Sequence, residues 1–250
     1  MPHLPPLLLT LLAAYAFLAS TGNTGASDQP SRPAEIVESI DAVFTGSIQY
    51  RCLIQLPEGY GSSDHAWPLL LFLHGSGERG SDIELVKKWG PPRLIAEGIR
   101  AFPAVVVSPQ CPADELEWEP AALVALIDRL IADYRIDEHR IYVTGLSMGG
   151  RGTWDLARHI PDRLAAIAPI CGYGTPRWAP RLAKLPCWVF HGTDDEAVPF
   201  AESARLVNAL NEVGAPVKFT AYPGAGHVDA WVKAYNESGL WQWLFAQKRD

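Results

Sequence analysis

The chain has 250 residues, 48% of them hydrophobic, which supplies one sizeable core and too little length for two. Its 28 acidic and 21 basic residues leave a formal charge of −7. No basic cluster could track a phosphate backbone, so nucleic acid is not expected as a partner.

In chain order, the first element is an apolar run from Leu7 to Ala19, 13 residues long, against the roughly 20 that a helix needs to cross a bilayer. It reads as a signal peptide over residues 1–26. Ser20 with Gly22, or Thr24 with Ala26, offers the small-x-small pattern of a cleavage site between residues 20 and 26. No Lys or Arg precedes the run, so its positive end is the terminal amine alone. The expected destination is secreted or periplasmic, with no stable membrane association after cleavage. A polar segment rich in Pro and Ser follows and reads as a linker over 27–40, leaving 41–250 as one catalytic domain. An oxidising compartment would permit disulfides, and Cys52, Cys111, Cys171 and Cys187 allow three complete pairings that spacing cannot rank. None has metal-ligand spacing, and Cys187 suits a free buried thiol as well as a bridge.

The alternating segment SIQYRCLIQLP (47–57) predicts an antiparallel edge strand. The runs at 68–75, 102–110, 140–145, 164–171 and 187–192 are continuously apolar, as parallel strands covered on both faces must be. Between them, residues 119–136 place Leu123, Leu126, Ile127, Leu130 and Ile131 at helical spacing, with Asp128, Arg129 and Asp133 opposite. Helices are also predicted over 148–160, over 201–214 with Gly214 as C-cap, and from about Asp229 onward. VKFTAYP (217–223) adds a further strand. Together these elements predict an α/β class, a mostly parallel sheet with helices on both faces.

IYVTGLSMGG sets Gly145, Ser147 and Gly149 as GxSxG between a predicted strand and a predicted helix. A sharp strand-to-helix turn would hold Ser147 in a strained conformation and project its hydroxyl from the sheet edge. That hydroxyl needs a base, itself oriented by a carboxylate. Of seven histidines, His3, His65, His139 and His159 are eliminated by position, while His74 and His191 end strands before glycine and more often brace a loop. His227, in AYPGAGHVDAW, lies in a predicted loop beyond the last strand and is the candidate base. The loop after the preceding strand, GTDDEAVP, offers Asp194, Asp195 and Glu196. Asp195 is favoured over Asp194, the other being a turn or capping residue. An oxyanion would be held by the amide of Met148 and by Ser76 or Gly77 in HGSGERG. Trp118 and Trp178 fall in segments expected near the same edge and are candidate substrate contacts; Trp154 and Trp231 read as core.

The same residues disfavour two other classes. Gly75, Gly77 and Gly80 spell GxGxxG after a strand, but the next strand ends VVVSPQCP with no acid for a ribose, which disfavours an NAD-dependent oxidoreductase. A non-catalytic binding module is disfavoured because serine, acid and base all occur in order.

From about residue 45 onward the chain resembles small α/β-hydrolases related to dienelactone hydrolase, polyhydroxybutyrate depolymerase and feruloyl esterase. The strings that carry the resemblance are LFLHGSGERG, WGPPRLIAEG, VVVSPQCP, GLSMGGRGTWDLA, APICGYG, FHGTDDEAVP and AGHVDAWVKAY. It implies the α/β-hydrolase fold, Asp195 as the acid through HGxxDxxVP, and ester hydrolysis on small molecules or polymer ends without metal or organic cofactor. Trp89 stands where relatives often carry His, and Ser147 where dienelactone hydrolases carry Cys. A peptidase of prolyl-oligopeptidase type is the alternative, since the same machinery opens amides. Only about 15 residues separate Cys171 from Cys187, too few for a separate cap domain. Nothing in the sequence fixes an oligomeric state.

Overall fold

The computed structural model describes residues 34–43 and 46–250; the expected signal peptide and its cleavage site lie outside them. In chain order the described residues form β1 (Glu35–Val43), β2 (Ser47–Gln55), β3 (Trp67–Leu73), α1 (Gly90–Ala96), β4 (Val105–Gln110), α2 (Pro120–Asp133), β5 (Ile136–Leu146), α3 (Met148–His159), β6 (Ala166–Ile170), α4 (Ala179–Leu182), β7 (Cys187–Gly192), α5 (Phe200–Glu212), β8 (Val217–Tyr222), α6 (His227–Asn236) and α7 (Ser238–Ala246).

The strands form one eight-stranded sheet in the order β1-β2-β4-β3-β5-β6-β7-β8. β1 and β2 pair antiparallel, β2 joins β4 antiparallel, and every later pairing is parallel. Alternation along each strand sorts the apolar side chains to two faces. Leu69, Leu71 and Leu73 pack with Leu123, Leu126 and Leu130 of α2, Trp154 of α3 and Leu206 and Leu210 of α5. Leu70 and Phe72 pack on the other face with Leu94 of α1, Trp231 and Tyr235 of α6, and Trp241 and Leu244 of α7. Because both faces are covered, the central strands read as unbroken apolar runs.

β3 is flanked by β4 on one side and β5 on the other, so the chain's winding reverses there. In open parallel sheets the carboxyl ends at such a reversal leave a crevice into which loops from both halves point. The segments after β3 and β5, which carry HGSG and GLSMG, both open onto it.

Three expectations need correction. Residues 35–40, expected as linker, are the start of β1, so the domain begins no later than Glu35. β1 and not β2 is the edge strand. The helix expected from Asp229 is two helices, and the first begins at His227. All four cysteines are buried and unpaired, so none of the three disulfide pairings forms. The dinucleotide alternative also fails: Ser76–Glu78 and Ile83–Lys88 are short 3-10 turns, and no helix opens on the glycines to receive a phosphate.

Candidate active site

Ser147 sits between β5 and α3 with φ 55° and ψ −118°, one of two non-glycine residues with positive φ among those described. Ser147 N–H donates to Ile170 O (2.9 Å), which fixes the turn against β6. The turn leaves no room for side chains on either side. A Cβ on Gly149 would lie 1.9 Å from Leu73 O, and one on Gly145 would lie 2.3 Å from Gly149 O. That close approach is the physical content of GxSxG here.

His227 and Asp195 come to the serine from two other strand ends. The His227 Nε2 atom is 2.8 Å from Ser147 Oγ, and its Nδ1 atom is 2.6 Å from Asp195 Oδ2. Asp195 is fully buried at its side chain, and its Oδ1 accepts from the amides of Ala197 (3.0 Å) and Val198 (2.8 Å). Burial pushes this carboxyl up, but the Val198 amide and the His227 imidazole outweigh it and hold the group below its ordinary value. An ionised Asp195 accepts only, so His227 carries its proton on Nδ1 and leaves Nε2 free to take one from the hydroxyl.

The expected loop for His227 is instead the first turn of α6, and the ring packs edge-on against Trp231 at 4.7 Å. Trp231 in turn meets Trp89 at 5.6 Å. Asp194 takes the turn role: its amide donates to Ala225 O (3.1 Å) and its carboxylate accepts from Thr193 Oγ1 (2.8 Å).

Met148 is the first residue of α3, where an amide has no intrahelical acceptor. The segment after β3 lies against the serine, since a Cβ on Gly75 would sit 3.6 Å from Ser147 Cβ. Ser76 and Gly77 follow in the 3-10 turn, both exposed. Two buried side chains hold that turn. His74 donates from Nδ1 to Gly75 O (2.6 Å) and accepts the Cys111 amide at Nε2 (3.0 Å); burial depresses its pKa to about 4. Gln110 Nε2 donates to Glu78 O (2.9 Å) and Asp82 O (2.7 Å). Glu78 is a buried acid that sequence reasoning passed over. Burial raises its pKa, opposed by Lys88, the Gly75 amide and the Trp89 indole.

Residues 117–238 match the dienelactone hydrolase family. A solved structure described as a thermostable esterase superposes with a TM-score of 0.74 at 32% identity, covering 86% of this chain and 63% of the esterase chain. The chain has the α/β-hydrolase fold. It is also 26% identical over 208 residues to a "Probable carboxylesterase SOBER1-like" of Arabidopsis thaliana, covering 68% of the chain and 79% of the relative. An "Uncharacterized secreted protein" of Arthroderma benhamiae is 28% identical over 206 residues, covering 64% of the chain and 21% of the relative. The chain thus spans only about a fifth of the fungal relative's length.

Of the two tryptophans expected as substrate contacts, Trp118 is a correction. Only 3% of it is exposed, its indole N–H donates to His74 O (3.2 Å), and its ring packs on Gly152. Its position after a loop hid that it is core. Trp178 is half-buried and stacks with the guanidinium groups of Arg151 and Arg158, each 5.1 Å from the ring centre.

Among the described residues, Cys171, His191 and Asp195 bring polar atoms within 4.8 Å of one another, close enough to suggest a cation. Their chemistry does not fit one. His191 Nε2 faces the Val198 carbonyl (2.9 Å) and so carries a proton, Asp195 is engaged by His227, and burial pushes the Cys171 thiol far up.

Proposed function

We propose that this protein cleaves carboxylic esters through an acyl-enzyme on Ser147. The observation that carries the reading is the single imidazole of His227 spanning Ser147 Oγ and Asp195 Oδ2, at 2.8 and 2.6 Å. The relatives whose descriptions name carboxylesterase and esterase activity support the ester as substrate.

In the first step Ser147 Oγ attacks the ester carbonyl carbon while its proton moves to His227 Nε2, and Asp195 stabilises the imidazolium that forms. The carbonyl oxygen becomes an oxyanion, held by the amides of Met148 and Ser76 or Gly77. Loss of one such donor typically costs about 3 to 4 kcal/mol. Collapse of the tetrahedral intermediate breaks the bond to the alcohol oxygen, which leaves with the proton from Nε2. Water then attacks the acyl-enzyme and gives a proton to Nε2, which passes it to the departing Ser147 Oγ, so that the acid leaves and the free enzyme is restored. No step calls for a metal or organic cofactor.

Ser147 and His227 are partly exposed, and the connection from β6 to β7 carries only the short α4. The site is therefore open, which suits short acyl esters or the ends of a polymer. Trp178 is the remaining aromatic candidate for a substrate contact.

The test is labelling with a fluorophosphonate probe together with a panel of p-nitrophenyl esters, aryl esters and peptide anilides. Wild type should label and turn over the esters faster than the anilides, and Ser147→Ala should do neither while remaining folded. Residual esterase activity in that variant would overturn the reading, and faster anilide cleavage would make the enzyme a peptidase. The apolar run 7–19 and the secreted fungal relative support export to the periplasm or medium. Fractionation of an expressing cell checks this by finding the protein outside the cytoplasm.

A further inference from the structure

Asp195 is bonded by more than the triad requires. Besides His227 and the two amides on Oδ1, its Oδ2 lies 3.2 Å from Nε2 of a second imidazole, His191 at the carboxyl end of β7. Both side chains are fully buried. The same nitrogen points at the Val198 carbonyl (2.9 Å), so Nε2 faces two acceptors and must bear hydrogen. On the far side, His191 Nδ1 is 2.8 Å from Ser203 Oγ of α5, and that hydroxyl also reaches Gly172 O (3.1 Å). Burial holds His191 below its ordinary pKa, so the ring is neutral, and Nδ1 and Gly172 O share the one hydrogen of the Ser203 hydroxyl.

We propose that His191 is a positioning residue for the triad: its neutral imidazole donates Nε2–H to Asp195 Oδ2 and so sets how strongly that oxygen holds His227. This rests on the triad reading above. Oδ2 is bonded by Nδ1 of His227 on α6 and approached at 3.2 Å by Nε2 of His191 on β7, whose hydrogen also serves the Val198 carbonyl, while Oδ1 is saturated by backbone. A carboxylate oxygen that shares its electron density between two donors is a weaker acceptor for each. Removing the His191 donor concentrates the charge on Oδ2, binds the His227 imidazolium more tightly and raises the pH at which His227 becomes a free base. The titratable groups facing this pair are Asp195, His227 and the Cys171 thiol at the end of β6. With its pKa pushed far up, that thiol is uncharged across the working range. Ser203 holds the ring from behind, so α5 contributes to the site without touching substrate.

The experiment compares His191→Leu, which deletes the donor, with His191→Gln, whose amide places an N–H near the former Nε2. On a short p-nitrophenyl ester, the acid limb of kcat/KM in His191→Leu should move up by about half a pH unit. Its kcat should fall about tenfold with KM unchanged, because an Asp195 no longer held from β7 orients His227 less well. His191→Gln should restore most of both. A rate loss with an unmoved limb, or Gln no better than Leu, would overturn the proposal and leave His191 as packing. If His191→Leu does not fold, nitrogen NMR on wild type decides: the Nε2–H tautomer at neutral pH supports the proposal, and the Nδ1–H tautomer or a charged ring overturns it. These outcomes are separate from the triad reading, which fails only if Ser147→Ala remains active or wild type does not label.

Discussion

At the scale of single residues, the two neighbouring aspartates test the assignment most sharply. Asp195 has a fully buried side chain, with two backbone donors on one oxygen and His227 on the other. Asp194 is exposed and bonded to Thr193. Asp195→Asn keeps the shape but replaces an acceptor with an amide that can donate to Nδ1, which favours the unproductive tautomer. Its kcat should fall by about three to four orders of magnitude. Asp194→Asn should lose less than about tenfold, since only a turn contact changes. Steady-state kinetics on a p-nitrophenyl ester measures both, and the reverse order would transfer the acid role to Asp194. Why sequence leaned to Asp195 without deciding is now physical. Both carboxylates follow a strand end, and which one turns inward depends on Asp195 accepting the Ala197 and Val198 amides. No spacing encodes that local turn, and the family pattern HGxxDxxVP supplied the choice instead. His191 was passed over for a related reason: in sequence, a brace and a partner of the acid look the same.

At the scale of elements, the elbow is where packing tolerates least. α3 starts so close to β3 that a Cβ on Gly149 would sit 1.9 Å from a backbone oxygen, which cannot be relieved by rotating a side chain. Gly149→Ala should therefore destabilise the fold by more than about 3 kcal/mol, because the helix must back away from the sheet. Gly61→Ala, with nothing within 4 Å and no positive φ, should change stability by less than about 0.5 kcal/mol. Urea denaturation of the two variants checks the contrast, and similar values for both would mean that the turn relaxes easily. The strand-turn-helix was legible because it combines an unbroken apolar run, small residues and a helical period. β1 was not, since EIVESIDAV spaces Glu35, Glu38 and Asp41 among its apolar residues. An edge strand with one partner needs few apolar contacts, so its composition is close to that of a linker. The start of α6 was missed because Gly224 and Gly226 advertise a loop, and the helix begins at the residue after them.

At the scale of the whole molecule, the pH dependence of stability should reflect how many titratable groups the fold has buried in one protonation state. His74 is the strongest case: it is 1% exposed, spends one nitrogen as donor and the other as acceptor, and has its pKa depressed to about 4 from an ordinary 6.5. A proton added to Nε2 would face the Cys111 amide. The unfolded chain binds that proton near pH 6.5 and the folded chain only near 4, so the contribution is complete above 6.5 and disappears as pH falls between these values. Its size is roughly 3 kcal/mol. Asp195 acts in the same direction at lower pH, because its carboxyl is held below the ordinary value. Glu78 opposes both: burial raises its pKa, so it weakens the fold when ionised and relents on protonation. His74 dominates the window because its shift is large and its burial nearly complete, whereas Glu78 retains Lys88 and two hydrogen-bond donors to offset its own. Urea denaturation of wild type from pH 7 to pH 4 should show a steady loss. His74→Asn keeps a donor for Gly75 O but has no imidazole to protonate, so it should start less stable and decline less, by about 3 kcal/mol over the same range. Parallel curves for the two proteins would mean that His74 accepts its proton in the folded state at an ordinary pH, and that the brace beneath the candidate oxyanion turn is looser than its two hydrogen bonds indicate.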